Sequence, residues 1–148
     1  MYDMLKAGLS AAVPFSKYVG VELQEVGGGF AKARLEQRPD VSNHIGTIHA
    51  GALFTAAETA SGAAVAGAFV DLIGAIRPVA AKATVTYLKL ARGTAICTAE
   101  TSQPADELVR RLRADHKVVF DVVVTVADDS GQRLAMMSVS WDVRLVAT

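Results

Sequence analysis

At 148 residues, 51% hydrophobic and 20% charged, the chain has the length and composition of one globular domain around one core, which excludes intrinsic disorder. Fifteen basic residues balance fifteen acidic ones, so the net basic surface that marks a nucleic-acid partner is absent. The single cysteine, Cys97, excludes an intrachain disulfide and a thiolate metal cluster.

Met1–Val13 carries Asp3 and Lys6 and lacks the basic start and apolar run of a signal peptide, so a cytoplasmic protein is expected. Its apolar residues Met1, Met4, Leu5, Leu9, Ala12 and Val13 fall near helical spacing and predict a short amphipathic helix ended by Pro14. Val19, Val21 and Leu23 alternate as a first strand. Gly27–Gly29 turns the chain, and Ala31, Ala33 and Leu35, alternating with Lys32, Arg34 and Glu36, complete a β-hairpin.

A polar, irregular stretch from Pro39 to Thr47 leads into a long helix, His49 to Val70, in which Glu58 is the only charge between Ala50 and Val70. That length would cross a bilayer, but Ala, Gly, Ser and Thr dominate it and the mid-span acid would be costly in lipid. A helix apolar on nearly all sides also suits the centre of a globular core, so no membrane partner is expected.

Asp71 to Pro78 reads as a loop. Four strands follow at about Val79–Leu90, Thr94–Thr101, Lys117–Ala127 and Gln132–Val146. Arg92-Gly93 is the expected turn of the first pair and Asp128–Gly131 that of the last. Pro104–His116 reads as a short helix or structured loop with Asp106 as its N-cap. Cys97 falls in a strand, as a small buried hydrophobe. In the last strand Val139, Trp141, Val143 and Leu145 alternate with Ser138, Ser140, Asp142 and Arg144. Repeats, low-complexity tracts and linkers are absent, so residues 1–148 read as a single domain.

Strands joined in meander-like succession by short turns pair antiparallel, which argues against a βαβ unit. One antiparallel sheet wrapped around one central helix is the simplest way to hide that helix. This is an α+β chain of hotdog architecture.

The chemistry concentrates between Ser42 and Ala60. Turn-forming residues lead into a helix start, where backbone N–H groups are unpaired at the positive end of the helix and can hold an oxyanion. About two turns further on stands Glu58, and a carboxyl in an apolar wall has its pKa raised by desolvation, which suits a base or nucleophile.

Asn43, Gly46, His49, Gly51 and Glu58 together resemble the signature of hotdog thioesterases of the phenylacetate-pathway and 4-hydroxybenzoyl-CoA types. Ala83–Gly93 resembles the strand and turn that follow the helix in those families. The resemblance implies that Glu58 is the catalytic carboxylate and that the Ala50 N–H, beside Gly51, polarises the thioester carbonyl. It further implies that Asn43 helps to hold the carbonyl or the attacking water, and that His49, the helix-start histidine, positions the loop rather than acting as a base. An acyl-CoA substrate is implied, with no metal and no cofactor beyond the coenzyme A of the substrate. So is a dimer or dimer of dimers, with carboxylate and carbonyl-holding group on different protomers.

Two positions depart from the pattern. Ala50 stands where glycine is usual, and Ala80, Ala81, Lys82, Ala83 and Thr84 occupy the strand that often supplies a water-assisting hydroxyl. Lys82 either pairs with Glu58 or substrate, or faces solvent. Lys89, Arg92, Arg110, Arg111 and Arg113 are candidates for the phosphates of coenzyme A.

Two other readings stay open at this point. A hydratase or dehydratase of the same fold would use a histidine such as His44 with Glu58, although the Pro-Gly helix entry of that class is missing. A non-catalytic acyl-CoA-binding protein would keep the fold alone. Three histidines, His116 among them, do not make a metal site.

Overall fold

The computed structural model describes residues 1–146. Proline at residue 14 ends the first helix, α1 (Tyr2–Ala12), by leaving Val13 extended. It then opens a second helix, α2 (Pro14–Val19), because its fixed φ suits a first helical position. The sequence alternation therefore overreaches at Val19, which closes α2 against a left-handed Gly20 and is not a strand residue.

The hairpin is present as β1 (Glu22–Gly27) and β2 (Phe30–Glu36), with Gly27 paired to Phe30 across the turn. Ala31, Ala33 and Leu35 are buried, as their alternation predicts. A 3-10 turn (Pro39–Val41) then leads to the long helix α3 (Ala50–Ala68). The segment read as a loop from Asp71 to Pro78 is a second 3-10 turn (Val70–Ala75) followed by strand β3 (Ile76–Tyr87). Pro78 lies inside that strand, where proline is tolerated because β3 is an edge strand. The remaining elements are β4 (Thr94–Thr101), α4 (Ala105–Asp115), β5 (Lys117–Ala127) and β6 (Arg133–Leu145). Asp106 is not the N-cap of α4. Pro104 holds that position, and the Asp106 carboxylate instead accepts from the Glu107 N–H within the first turn.

All strand pairs are antiparallel, in the order β1-β2-β4-β5-β6-β3. The succession β4, β5, β6 is a meander, but β3 does not pair with β4. It lies at the far edge against β6, and Arg92-Gly93 is a crossing rather than a hairpin turn. Gly93 bonds to Gln37, just beyond the end of β2, through both its N–H and its carbonyl.

α3 packs on β2, β4 and β5 and contributes Ala52, Leu53, Ala56, Ala57, Ala60, Ala63, Ala64 and Val65 to the core. The inward residues of β2 and β4 are also small (Ala31, Ala33, Ala95, Cys97 and Ala99), so helix and sheet can lie close together. Burial pushes the Cys97 thiol up to about 12, which makes it an inert core residue. The arrangement is the hotdog fold. Among the described residues no helix is long and apolar enough to cross a membrane.

One contact fixes how deeply α3 sits. A Cβ built on Gly67 would stand 1.9 Å from the carbonyl oxygen of Gly27 in the hairpin turn. Neither atom belongs to a side chain that could swing away. Gly67→Ala is expected to destabilise the fold by about 2 kcal/mol or more, read as a lower urea midpoint with an unchanged m-value.

Candidate active site

The start of α3 is set by a loop that Asn43 organises. Its Oδ1 accepts from the N–H groups of Ile45 (3.1 Å) and Thr47 (3.0 Å), and its Nδ2 donates to Thr47 Oγ1 (2.7 Å). His49 is then the N-cap. Its Nδ1 accepts from the Gly51 N–H at 2.8 Å, while its carbonyl accepts from Ala52 (2.9 Å) and Leu53 (3.1 Å). A Cβ at residue 51 would press on the imidazole at 3.0 Å, so glycine there leaves the capping ring undisturbed.

Of the first three N–H groups of α3, those of Gly51 and Ala52 are thereby satisfied and that of Ala50 is left over among the described residues. The Ala50 carbonyl accepts from the Tyr87 hydroxyl at 3.1 Å, which ties the helix start to the end of β3. Asn43, Ala50, Leu53, Tyr87 and Lys89 line a small cleft of about 110 Å³ at this end.

Glu58 lies in a different cleft, of about 270 Å³, lined by residues of α1, α2, α3, β1 and β3 together with Trp141 of β6. Burial raises the pKa of its carboxyl above the ordinary value. No cation pairs with it among the described residues. Eight residues at about 1.5 Å each separate Glu58 from Ala50 along the helix axis, roughly 12 Å. The Ala50 N–H also points out of the helix end, away from Glu58. Within one chain the donor and the carboxylate cannot meet on one carbonyl group.

Lys82 does not approach Glu58 within the chain. The register of β3 slips between Ala80, opposite Trp141, and Lys82, opposite Ser140. Lys82 and Thr84 thus share the outer face of the sheet with Ser140 and Ser138, while α3 lies on the inner face with Trp141 and Val139. Lys89 lines the helix-start cleft. Arg92 is exposed in the crossing to β4, and Arg110 is exposed on α4, outside both clefts.

Of the Glu58 cleft, sequence reasoning placed only Glu58 and missed among others Gly62, Trp141 and Thr59. Gly62 sits one turn beyond Glu58 on the same helix face, a spacing that would have revealed it. Glycine in a helix interior costs about 0.5–1 kcal/mol relative to alanine. Trp141 is 6% exposed, and its indole N–H has no partner among the described residues, a cost of about 1–3 kcal/mol. Thr59 donates its hydroxyl to the Thr55 carbonyl and lies 2.8 Å from Ser16 Oγ, so these cleft hydroxyls satisfy each other.

A family model described as a domain of unknown function (DUF4442) matches residues 2–143. The chain belongs to that family. No curated protein matches it in sequence. Among solved structures it resembles a Pseudomonas aeruginosa protein described as of unknown function, probable thioesterase. The TM-score is 0.82 at 21% identity, over 99% of this chain and 97% of that one. It also resembles the Escherichia coli PaaI protein of the phenylacetic acid degradation operon, with a TM-score of 0.70 at 17% identity, over 95% and 93%. A third similar structure is a thioesterase candidate from Shewanella oneidensis, with a TM-score of 0.77 at 16% identity, over 98% and 97%. At these identities the likeness establishes the hotdog fold.

The N-cap can be tested directly. His49→Ala is expected to cost about 1 kcal/mol in urea unfolding, and His49→Asn, which keeps a capping acceptor, to recover most of it.

Proposed function

We propose that the chain is an acyl-CoA thioesterase that hydrolyses its substrate to a free acid and CoA, at a site completed by a second copy of the chain. The observation that carries this reading is the separation on α3 between a desolvated carboxyl at Glu58 and a spare N–H at Ala50. Thioester hydrolysis needs both an activated nucleophile and an oxyanion donor on one carbonyl.

A second copy supplies the missing half. β3 pairs on one side only and is exposed along most of its length, with Val79, Tyr87, Leu88 and Leu90 in or just beyond it all exposed. A bare edge of this length is suited to pair with itself. Antiparallel pairing of two β3 edges about a two-fold axis also sets the two α3 helices antiparallel, which brings the Ala50 end of one toward Glu58 of the other.

In this reaction the Ala50 N–H binds the carbonyl oxygen as it becomes an oxyanion. Glu58 either takes a proton from the attacking water and returns it to the departing thiolate, or attacks the carbonyl carbon to expel CoA thiolate and form a mixed anhydride. In the second case water then hydrolyses the anhydride to the free acid while its proton passes to the thiolate. Asn43 and His49 hold the helix start rather than exchange protons. Lys89, at the rim of the helix-start cleft, is placed to meet a phosphate of coenzyme A, with Arg92 close along the chain.

The active-site pairing can be read by complementation. Proline at residue 50 would remove the N–H while suiting the first helical position, and His49 already has the extended backbone (φ −61°, ψ 138°) that precedes proline. Ala50→Pro and Glu58→Gln are each expected to lose about 100-fold or more in thiol release from acyl-CoA. A mixture of the two unfolded and refolded together should regain activity, since each mixed dimer holds one intact site. No recovery, with mixed dimers present, would place both groups in one chain and defeat the reading.

Glu58 also makes a pH prediction. Its folded pKa is raised, so the protonated form is favoured by folding, and the associated stability is lost as pH rises through that pKa. Glu58→Gln should therefore have a higher Tm than wild type at pH 8, with the difference shrinking as pH falls toward 4. Wild-type kcat/KM should fall on the acid side with an apparent pKa above that of an ordinary carboxylate.

A further inference from the structure

We propose that the cleft beside Glu58 seats the acyl group of the thioester, that this group is uncharged and apolar, and that Gly62 limits its bulk. This deepens the thioesterase reading and rests on it. The cleft is walled by Leu9, Val13, Leu23, Ile73, Pro78 and Trp141, from elements far apart in the chain. Its two hydroxyls, Ser16 and Thr59, are already committed to each other and to the Thr55 carbonyl. Apart from Glu58, no lining side chain offers a charge. A carboxylate or ammonium on the acyl tail would be desolvated here without a partner.

The volume of about 270 Å³ exceeds the roughly 150 Å³ of a dry cavity that holds benzene. An aromatic acyl group or a medium straight chain fits that space.

Gly62 is the residue whose presence the fold does not explain. A Cβ there would meet only the edge of the Trp141 ring, at 3.5 and 3.6 Å, which is ordinary van der Waals contact. Gly67 contrasts with it, because there the backbone of the hairpin turn forbids a methyl. Alanine at residue 62 would be accommodated and would favour the helix. What it would remove is space in the cleft, one turn from Glu58. Trp141, held there without a partner for its N–H, supplies the apolar wall opposite. Three locally unfavourable choices, a desolvated acid, a mid-helix glycine and an unpaired indole, thus converge on one cavity, as they do where a site rather than the fold sets the residue.

Gly62→Ala is the test. It should raise Tm, and it should lower the ratio of kcat/KM for octanoyl-CoA over acetyl-CoA about tenfold, the effect of one misplaced methyl group in an apolar pocket. Succinyl-CoA, of intermediate length but charged, should be hydrolysed at least tenfold less efficiently than octanoyl-CoA by the wild type.

Trp141 is the only tryptophan, so its emission reports on the cleft without any turnover. Titration with octyl-CoA, a thioether that cannot be hydrolysed, should change that emission, and Gly62→Ala should weaken the apparent affinity about tenfold. A lower Tm for Gly62→Ala would make the glycine a packing requirement and overturn the proposal. So would a substrate ratio within twofold of wild type, or emission that ignores octyl-CoA. Failure of the hydrolase reading looks different. If the wild type releases no thiol from any thioester, yet octyl-CoA shifts the emission and Gly62→Ala weakens it, the cleft stands as an acyl-binding site and only the reaction is lost.

Discussion

α3 is enclosed by β2, β4 and β5, and the approach of Gly67 to the Gly27 carbonyl holds it there. Every polar atom on that helix must then be satisfied within the chain or stand where the wrapping stops. Thr55 and Thr59 return their hydroxyls to carbonyls one turn back, and Ser61 gives its own to the Glu58 carbonyl. Glu58 has no such local solution. It lies on the helix face that meets the cleft, where α1, α2 and the β3 edge stand in for the wrapping strands.

The strand order creates that gap. A simple meander would lay β3 beside β4, but β4 already pairs with β2 and β5. Instead β3 crosses to the outside of β6, and most of it is exposed even though it is twelve residues long. The proline within it and the register slip after Ala80 both mark an edge. An uncovered edge of this kind is open to pairing with another strand.

Local patterns carried much of this into the sequence. Period-two alternation located β2 and β6, and the run of small residues with one acid located α3, because burial against a single core imprints directly on residue type. The misreadings share a cause. Val19, Pro78 and Arg92-Gly93 were assigned from neighbours in sequence, whereas α2, the reach of β3 and its pairing depend on contacts far along the chain. The face of Lys82 depended on one extra residue at Ala81, since a single-residue slip turns a strand over. The site divides in the same way. Glu58 and the His49–Gly51 helix start stood out as departures from local pattern, but Trp141 reaches the Glu58 cleft only through the pairing of β6 with β3, which no stretch of sequence displays.

The two ends of the proposed chemistry are each left incomplete in the same sense. At the helix start, His49 accounts for its neighbours' N–H groups and leaves the one at Ala50 without an acceptor. Within the helix, packing withdraws part of the water from Glu58 and, among the described residues, offers no cation in exchange. The Ala50 residue is exposed, so its N–H meets solvent, whereas the half-buried Glu58 carboxyl carries a desolvation cost. A thioester carbonyl at the first and a water at the second would engage both groups at once, each already fixed by α3 for the transition state. The roughly 12 Å between the two groups along one helix is what makes that event require two chains.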